Sequence, residues 1–159
     1  MTVVPSGSVP SEADYGFDGQ VPVATAFLFE VDGVAIGTFS EISGLEVRVE
    51  VATYQEGGEN GFVHQLPGRM SWSNITLRRG VTKSDALFDW VNKVNAAKVS
   101  RSTGAITAIG TDGKTRLRSW NLQGVLPIRW TGPKFAAGEL GALEEELEIA
   151  HDGITAKTF

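Results

Sequence analysis

Residues 45–80 read LEVRVEVATYQEGGENGFVHQLPGRMSWSNITLRRG. In the first part Leu45, Val47, Val49 and Val51 alternate with Glu46, Arg48, Glu50 and Ala52. A period of two marks a strand with one dry and one wet face, because successive Cβ atoms point to opposite sides of a sheet. From Arg69 to Gly80, Trp72 and the β-formers Ile75 and Thr76 predict a second strand. Between the two lie Gly57, Gly58, Gly61 and Pro67. Proline has no N–H to give to a ladder and glycine permits irregular backbone, so residues 55–68 are expected to leave the sheet as a long protruding hairpin loop.

The flanking sequence continues the β pattern. In VATAFLFEV, residues 23–31, Phe27, Phe29 and Val31 share a face, and Asp32-Gly33 then supplies the positive φ angles of a tight turn before VAIGTF returns. The period changes once. After Ser84, a candidate cap, Leu87, Val91 and Val94 recur at steps of three and four beside Trp90, which predicts one amphipathic helix to about Ala97. Another strand pair is expected around Thr111-Asp112-Gly113-Lys114, its outgoing arm TRLRSWNLQGVLPIRW interrupted by Gly124 and Pro127, as at a bulge or kink on a sheet edge. The segment ALEEELEIAH, residues 142–151, is helical by composition, and Leu140, Leu143 and Leu147 fit helical spacing. Its alternation favours a strand, with Leu143, Leu147 and Ile149 on one face and Glu144, Glu146 and Glu148 on the other, and strand is the reading adopted.

A chain of 159 residues fits one domain able to bury about two-thirds of its unfolded surface. Residues 1–20 mix Pro, Ser, Gly and acids with few large apolar groups, so they are expected to form a flexible N-terminal arm ahead of a β domain at 21–159. There is no cysteine for a disulfide or a thiolate metal site. Nineteen acids against fourteen bases give a net charge of −5, which disfavours loose attraction to nucleic acid or anionic membrane. No apolar run is long enough to span a bilayer and the N-terminus lacks the features of a signal peptide, so the expectation is cytoplasmic assembly without membrane binding by the monomer.

Catalytic chemistry finds little support. A phosphate cradle needs glycines at a strand-to-helix turn, whereas EGGENG carries Glu56 and Glu59, which repel phosphate, and leads back to a strand. The two histidines, His64 on the expected loop and His151 at the end of the expected last strand, have no companion at zinc-ligand spacing. Glu144-Glu145-Glu146 alternate faces rather than sharing a cleft. No catalytic, cofactor or metal site is assigned, and an enzyme is not expected. Charge is segregated: Arg78, Arg79, Lys114, Arg116, Arg118 and Arg129 form basic stretches, while Glu41, Glu46, Glu50, Glu56 and Glu59, then Glu139 to Glu148, form acidic ones. Pairing between adjacent strands of one molecule and charge matching between copies are both compatible with that pattern.

Three groups of segments together resemble the tail tube protein family of contractile bacteriophages and related contractile injection systems. They are FLFEVDGVAIGTFSEISGLE, YQEGGENGFVHQLPGRMSWSNITLRRGVT followed by the helix with Trp90, and LPIRWTGPKF leading to ALEEELEIAHDGI, spanning about residues 24 to 154. The resemblance implies a mainly β, tail-tube-like barrel or sandwich with one flanking helix, assembling as hexameric rings stacked into a hollow tube inside a sheath. It implies as partners further copies of the chain, the sheath protein, baseplate and tube-terminating proteins, and a luminal cargo protein, tape measure or DNA. The assembled particle would be a phage tail or a phage-tail-like injection device.

On this reading the inter-subunit or inter-ring contact candidates are Tyr54, Glu56, Gly57, Gly58, Glu59, Asn60, Gly61, His64, Gln65, Arg69, Arg78 and Arg79, and the lumen-lining candidates are Glu144, Glu146 and Glu148. The extended N-terminal arm leaves open a tube-end or baseplate adaptor of the same family. From a different class, the alternative is a monomeric β-sandwich ligand-binding module presenting Trp72, Trp120 or Trp130.

Overall fold

A computed structural model of the chain describes residues 23–54, 57–58, 61, 63–96, 101–134, 137–138 and 141–158; the arm expected at 1–20 lies outside the described residues. Strands β1 (Ala24–Val31) and β2 (Val34–Phe39) form the expected hairpin. Its turn residues Asp32 and Gly33 have φ of 50° and 78°. The Asp32 carboxylate also accepts the Thr103 N–H at 2.9 Å, which ties the turn to the neighbouring strand. Then come β3 (Glu41–Ser43), β4 (Val47–Tyr54), β5 (His64–Trp72), β6 (Ile75–Gly80), helix α1 (Ala86–Ala96), β7 (Ser102–Gly110), β8 (Arg116–Thr131), β9 (Glu144–Ala150) and β10 (Gly153–Thr158). Ser84 Oγ accepts the Ala86 N–H at 3.4 Å, so the cap expected before α1 is present.

One sheet runs β2-β1-β7-β8-β9-β6-β3, with β10 added on β8. Its two ends are consecutive pieces of chain: only Ser40 separates β2 from β3, and its N–H donates to the Arg78 carbonyl at 2.9 Å. The sheet therefore closes on itself, and closure removes edges that would otherwise lie open. Phe29, Phe39, Ile75, Leu77, Ile106, Leu122, Leu147 and Ile149 fill the interior. Helix α1 adds Leu87 and Trp90, the latter edge-on to Phe29 with ring centroids 5.6 Å apart. The strand reading of residues 142–151 holds, because Glu145, Leu147 and Ile149 are buried while Glu144, Glu146 and Glu148 face outward.

Four expectations need correction. The single strand expected over Arg69–Gly80 is two strands of different sheets, broken at Ser73-Asn74. There Gly44, at φ 89°, backs directly onto the Asn74 carbonyl, an approach that a side chain would prevent. The expected loop at 55–68 is shorter, because β5 already begins at His64 and carries Pro67 within it. The register shifts between Val49 and Val51 on the partner strand, so Pro67 sits beside a bulge, where a missing N–H is tolerated. The arm of residues 115–130 is no edge along its first half: β8 pairs with β7 on one side and β10 on the other up to Gln123, and beyond Gly124 it pairs with β9. Gly124 makes that transfer at φ 62°, with no space for a Cβ against the Asp152 carboxylate. Finally, His151 ends no last strand but lies in the turn between β9 and the unforeseen β10.

Candidate functional site

Outside the barrel, β4 and β5 form a separate two-stranded ribbon. Its apolar residues are in phase: Val47 lies opposite Trp72, Val49 opposite Met70 and Val51 opposite Pro67. In a barrel strand such a stripe would be covered. Here every residue of β4, and every residue of β5 but Trp72, is exposed, with Val51 at 55% and Met70 at 57%. Burying a side chain of this size stabilises a fold by about 1.5–3 kcal/mol, and the monomer leaves that gain unused along the whole ribbon. Among the described residues β4 and β5 pair only with each other, so each also presents an unpaired backbone edge. Isolated two-stranded hairpins are marginal in water, and a bare apolar edge is a template for pairing with another chain.

The ribbon's root is fixed to the barrel. The Ser73 N–H donates to the Glu46 carbonyl at 3.2 Å, and His151 Nε2 lies 3.0 Å from the Ser73 carbonyl. The His151 ring rests against Trp72 at 5.9 Å between centroids, so this histidine has a structural place at the root. An exposed pair, Arg48 with Glu46 at 2.7 Å, lies beside it.

Of the contact candidates, Tyr54, His64, Gln65 and Arg69 are exposed on the ribbon, with Tyr54 opposite His64. They stand on strands rather than on a loop. Gly57, Gly58 and Gly61 are exposed, with open space where a Cβ would point. Glu56, Glu59 and Asn60 lie outside the described residues. Arg78, on β6, is engaged within the molecule, with Glu146 at 3.0 Å and Glu41 at 3.2 Å. The Glu146 hydrogen bond first, and the Glu41 charge second, push the Arg78 guanidinium above its ordinary pKa.

Arg79 has to be withdrawn as a contact residue. It is 4% exposed, and its Nε donates to Glu145 Oε1 at 2.5 Å. Glu145 Oε2 accepts the Trp130 Nε1–H at 3.1 Å, and the guanidinium lies over the Phe39 ring at 5.1 Å. A Cβ at Gly37 would collide with it. In sequence Arg79 reads as one of a run of exposed bases, and Glu145 only as the middle of three acids that alternate faces. The signal was present, since Arg79 is in phase with Ile75 and Leu77, and Glu145 with Leu147 and Ile149.

The lumen candidates do not make a purely acidic face. Glu146 is held by Arg78, and Arg129 approaches it at 3.6 Å; Glu148 meets Arg129 at 3.0 Å and the Asn74 amide at 3.1 Å. Strands β6 and β8 flank β9 and bring their arginines alongside. For Arg78, Arg79 and Arg129, charge pairing is thus within one molecule. The three tryptophans of the ligand-binding alternative are all partly buried, with Trp130 edge-on to Phe88 at 4.6 Å and Trp72 beside His151. Among the described residues no cluster of three His, Asp or Glu is placed to hold a metal ion, and no helix is long and apolar enough to cross a membrane.

Residues 23–155 match the family described as T4-like virus tail tube protein gp19. Among solved structures, the fold resembles a chain of the PVC sheath–tube complex, an extracellular contractile injection system in its extended state. That likeness has a TM-score of 0.74 and 26% identity, covering 95% of this chain and 100% of the other. A chain of the PVC sheath/tube terminator gives a TM-score of 0.72 and 27% identity, covering 87% and 99%. A chain of the anti-feeding prophage tube-terminating cap gives 0.73 at 22% identity, covering 99% and 100%, a likeness of fold. No curated protein matches the sequence.

Proposed function

The chain belongs to the T4-like virus tail tube protein gp19 family, and from that premise we propose that it is a structural subunit of the inner tube of a contractile injection system or contractile phage tail. Copies assemble as hexameric rings, the rings stack, and the hollow tube passes cargo or DNA. The reading is non-enzymatic: the subunit's work is to hold together while a surrounding sheath drives the tube forward.

The observation that carries it is the β4–β5 ribbon, apolar, exposed and, among the described residues, unpaired on both edges. A second copy that covers the Val47, Val49, Val51 and Met70 stripe and pairs with a ribbon edge recovers both the apolar burial and the backbone hydrogen bonds. If that contact is head-to-tail and its rotation closes, a ring results. Tyr54, His64, Gln65 and Arg69 then belong to the contact, and Glu144, the exposed glutamate of β9, to a solvent-facing wall.

Electron microscopy of the purified protein, alone and with its sheath and baseplate proteins, tests the proposal. Rings or tubes of uniform bore are expected; a monomer under all of these conditions overturns it. A terminator role is a second reading, favoured by the 27% identity to the sheath/tube terminator chain. It predicts single rings that cap tubes and do not extend them.

A further inference from the structure

Closure of the sheet leaves one length of strand edge open. Strands β9 and β10 follow each other along one flank of β8, with Leu126 opposite Ala150 and Gln123 opposite Gly153, while on the other flank β7 accompanies β8 only as far as Val125. Among the described residues, 126–131 therefore have β9 on one side and no strand on the other. Pro127 stands in this length, where a missing N–H is tolerated. Helix α1 lies beside the same residues, and between them runs a groove of about 310 Å³, lined by Val91 and Val94 of the helix and by Leu126, Ile128 and Trp130 of β8. Phe88 extends this apolar surface, edge-on to Trp130 with ring centroids 4.6 Å apart, and both Phe88 and Ile128 are exposed. Arg129, the charged side chain in the groove wall, is already held by Glu148 at 3.0 Å.

The β4–β5 ribbon has the complementary needs. Its stripe of Val47, Val49, Val51 and Met70 is exposed, and among the described residues each of its strands pairs only with the other. An extended segment added to an open edge gains main-chain hydrogen bonds, and its alternate side chains then enter the apolar surface beside that edge. Pro127 and the register shift between it and Arg129 restrict the ladder here to a few rungs, so burial of side chains in the groove has to supply the rest of the contact. The stripe offers side chains of that kind. In its own subunit the ribbon is exposed along its length and does not enter the groove. In the run β3-β6-β9-β8 the ribbon follows β3 at one margin, and the groove borders β8 at the other, three strand spacings or about 14 Å away. Two different patches at opposite margins meet in a head-to-tail contact between copies and not in a self-complementary one.

We propose that the groove between α1 and the open edge of β8 receives the β4–β5 ribbon of a second copy, its apolar stripe set against Phe88, Val91, Ile128 and Trp130. The proposal rests on the inner-tube reading and deepens it by naming the receiving surface. Each copy gives one ribbon and takes another, so in a closed ring every stripe is covered and every open length of β8 is paired.

Because the chain has no cysteine, Met70→Cys and Ile128→Cys can be placed in separate full-length chains, which are mixed and bridged with a short bismaleimide while the same samples are viewed by electron microscopy. A covalent dimer is expected in the mixture and in neither chain alone. It is not expected with Val34→Cys in place of Ile128→Cys, since Val34 is exposed but lies outside the groove. Circular dichroism confirms that each variant is folded. Rings without the mixed cross-link, a cross-link between two Met70→Cys chains, or equal cross-linking to Val34→Cys overturns the proposal and leaves the tube reading standing. The mixed cross-link without rings or tubes supports the contact and counts against the tube reading. Neither cross-link nor rings overturns both.

Discussion

Arg79 and Glu145 lie directly opposite each other across β6 and β9, and their buried ion pair joins four strands, because Trp130 of β8 donates to the same carboxylate and Gly37 of β2 makes room for the guanidinium. Removing one member leaves the other charged and unpaired in an apolar interior. The Glu145→Ala and Arg79→Ala variants should each lose about 3–5 kcal/mol in urea unfolding. Replacing both with apolar residues of similar volume, Arg79→Met with Glu145→Leu, should recover most of that loss. A single-variant loss below ~1 kcal/mol would show that the pair is hydrated in solution.

The ribbon makes the opposite prediction. Val51→Glu with Met70→Glu places charge on a stripe that already faces solvent in the monomer, so unfolding stability should stay within ~1 kcal/mol of the parent. Assembly should be abolished, since the stripe would have to be buried with two unpaired carboxylates. Light scattering and electron microscopy read the outcome. Rings that form normally in this variant would remove the ribbon from the contact.

Two glycines with similar backbone angles should respond differently to alanine. Gly33, at φ 78° with open space around it, should lose about 1 kcal/mol, the cost of the left-handed conformation alone. Gly44, at φ 89° with the Asn74 carbonyl against it, should lose ~2 kcal/mol or more, because the junction between ribbon and barrel has to move as well. Thermal unfolding of the two variants gives the comparison.

Asp112 sets an acid-side limit on the β7–β8 turn. The Thr115 hydroxyl, followed by the backbone N–H groups of Lys114 and Thr115, lowers its pKa from 3.8 to about 2. A carboxyl whose folded pKa is depressed contributes stability that is present above its unfolded value and is lost as pH falls through the folded one. The contribution should therefore fade between about pH 4 and pH 2. A carbon-detected NMR titration should place the Asp112 midpoint near the bottom of that range, and Asp112→Asn should flatten the corresponding part of the stability profile. A midpoint near 4 would mean that the turn's hydrogen bonds do not persist in solution.

Local chemistry made much of the architecture legible. The Asp32-Gly33 turn, the Ser84-capped helix and the alternation of Leu147 and Ile149 with Glu146 and Glu148 are each decided by neighbours in sequence, and each is found as read. A protrusion is legible around residues 55–68, but the sequence places its flanking strands in the main sheet, whereas β4 and β5 form a ribbon of their own. The signals that failed were those in which a local cue had a distant cause. Gly124 and Pro127 read as an edge, yet β8 lies inside the sheet through Gln123 because β10, a short strand with a weak pattern of its own, comes back to pair with it.

By itself the sequence determined the β class, the helix, a protrusion around residues 55–68 and the resemblance to tail tube proteins, since strand periodicity, turn residues and capping act over a few positions. Only the tertiary structure decided that Arg69–Gly80 divides between two sheets, that Arg79 is an interior residue locked to Glu145, and that the glutamates of β9 stand among arginines from both flanking strands. Those outcomes depend on which distant strands share a ladder and in what register. That choice is made by the simultaneous packing of both faces of the closed sheet, and no short window of sequence contains it.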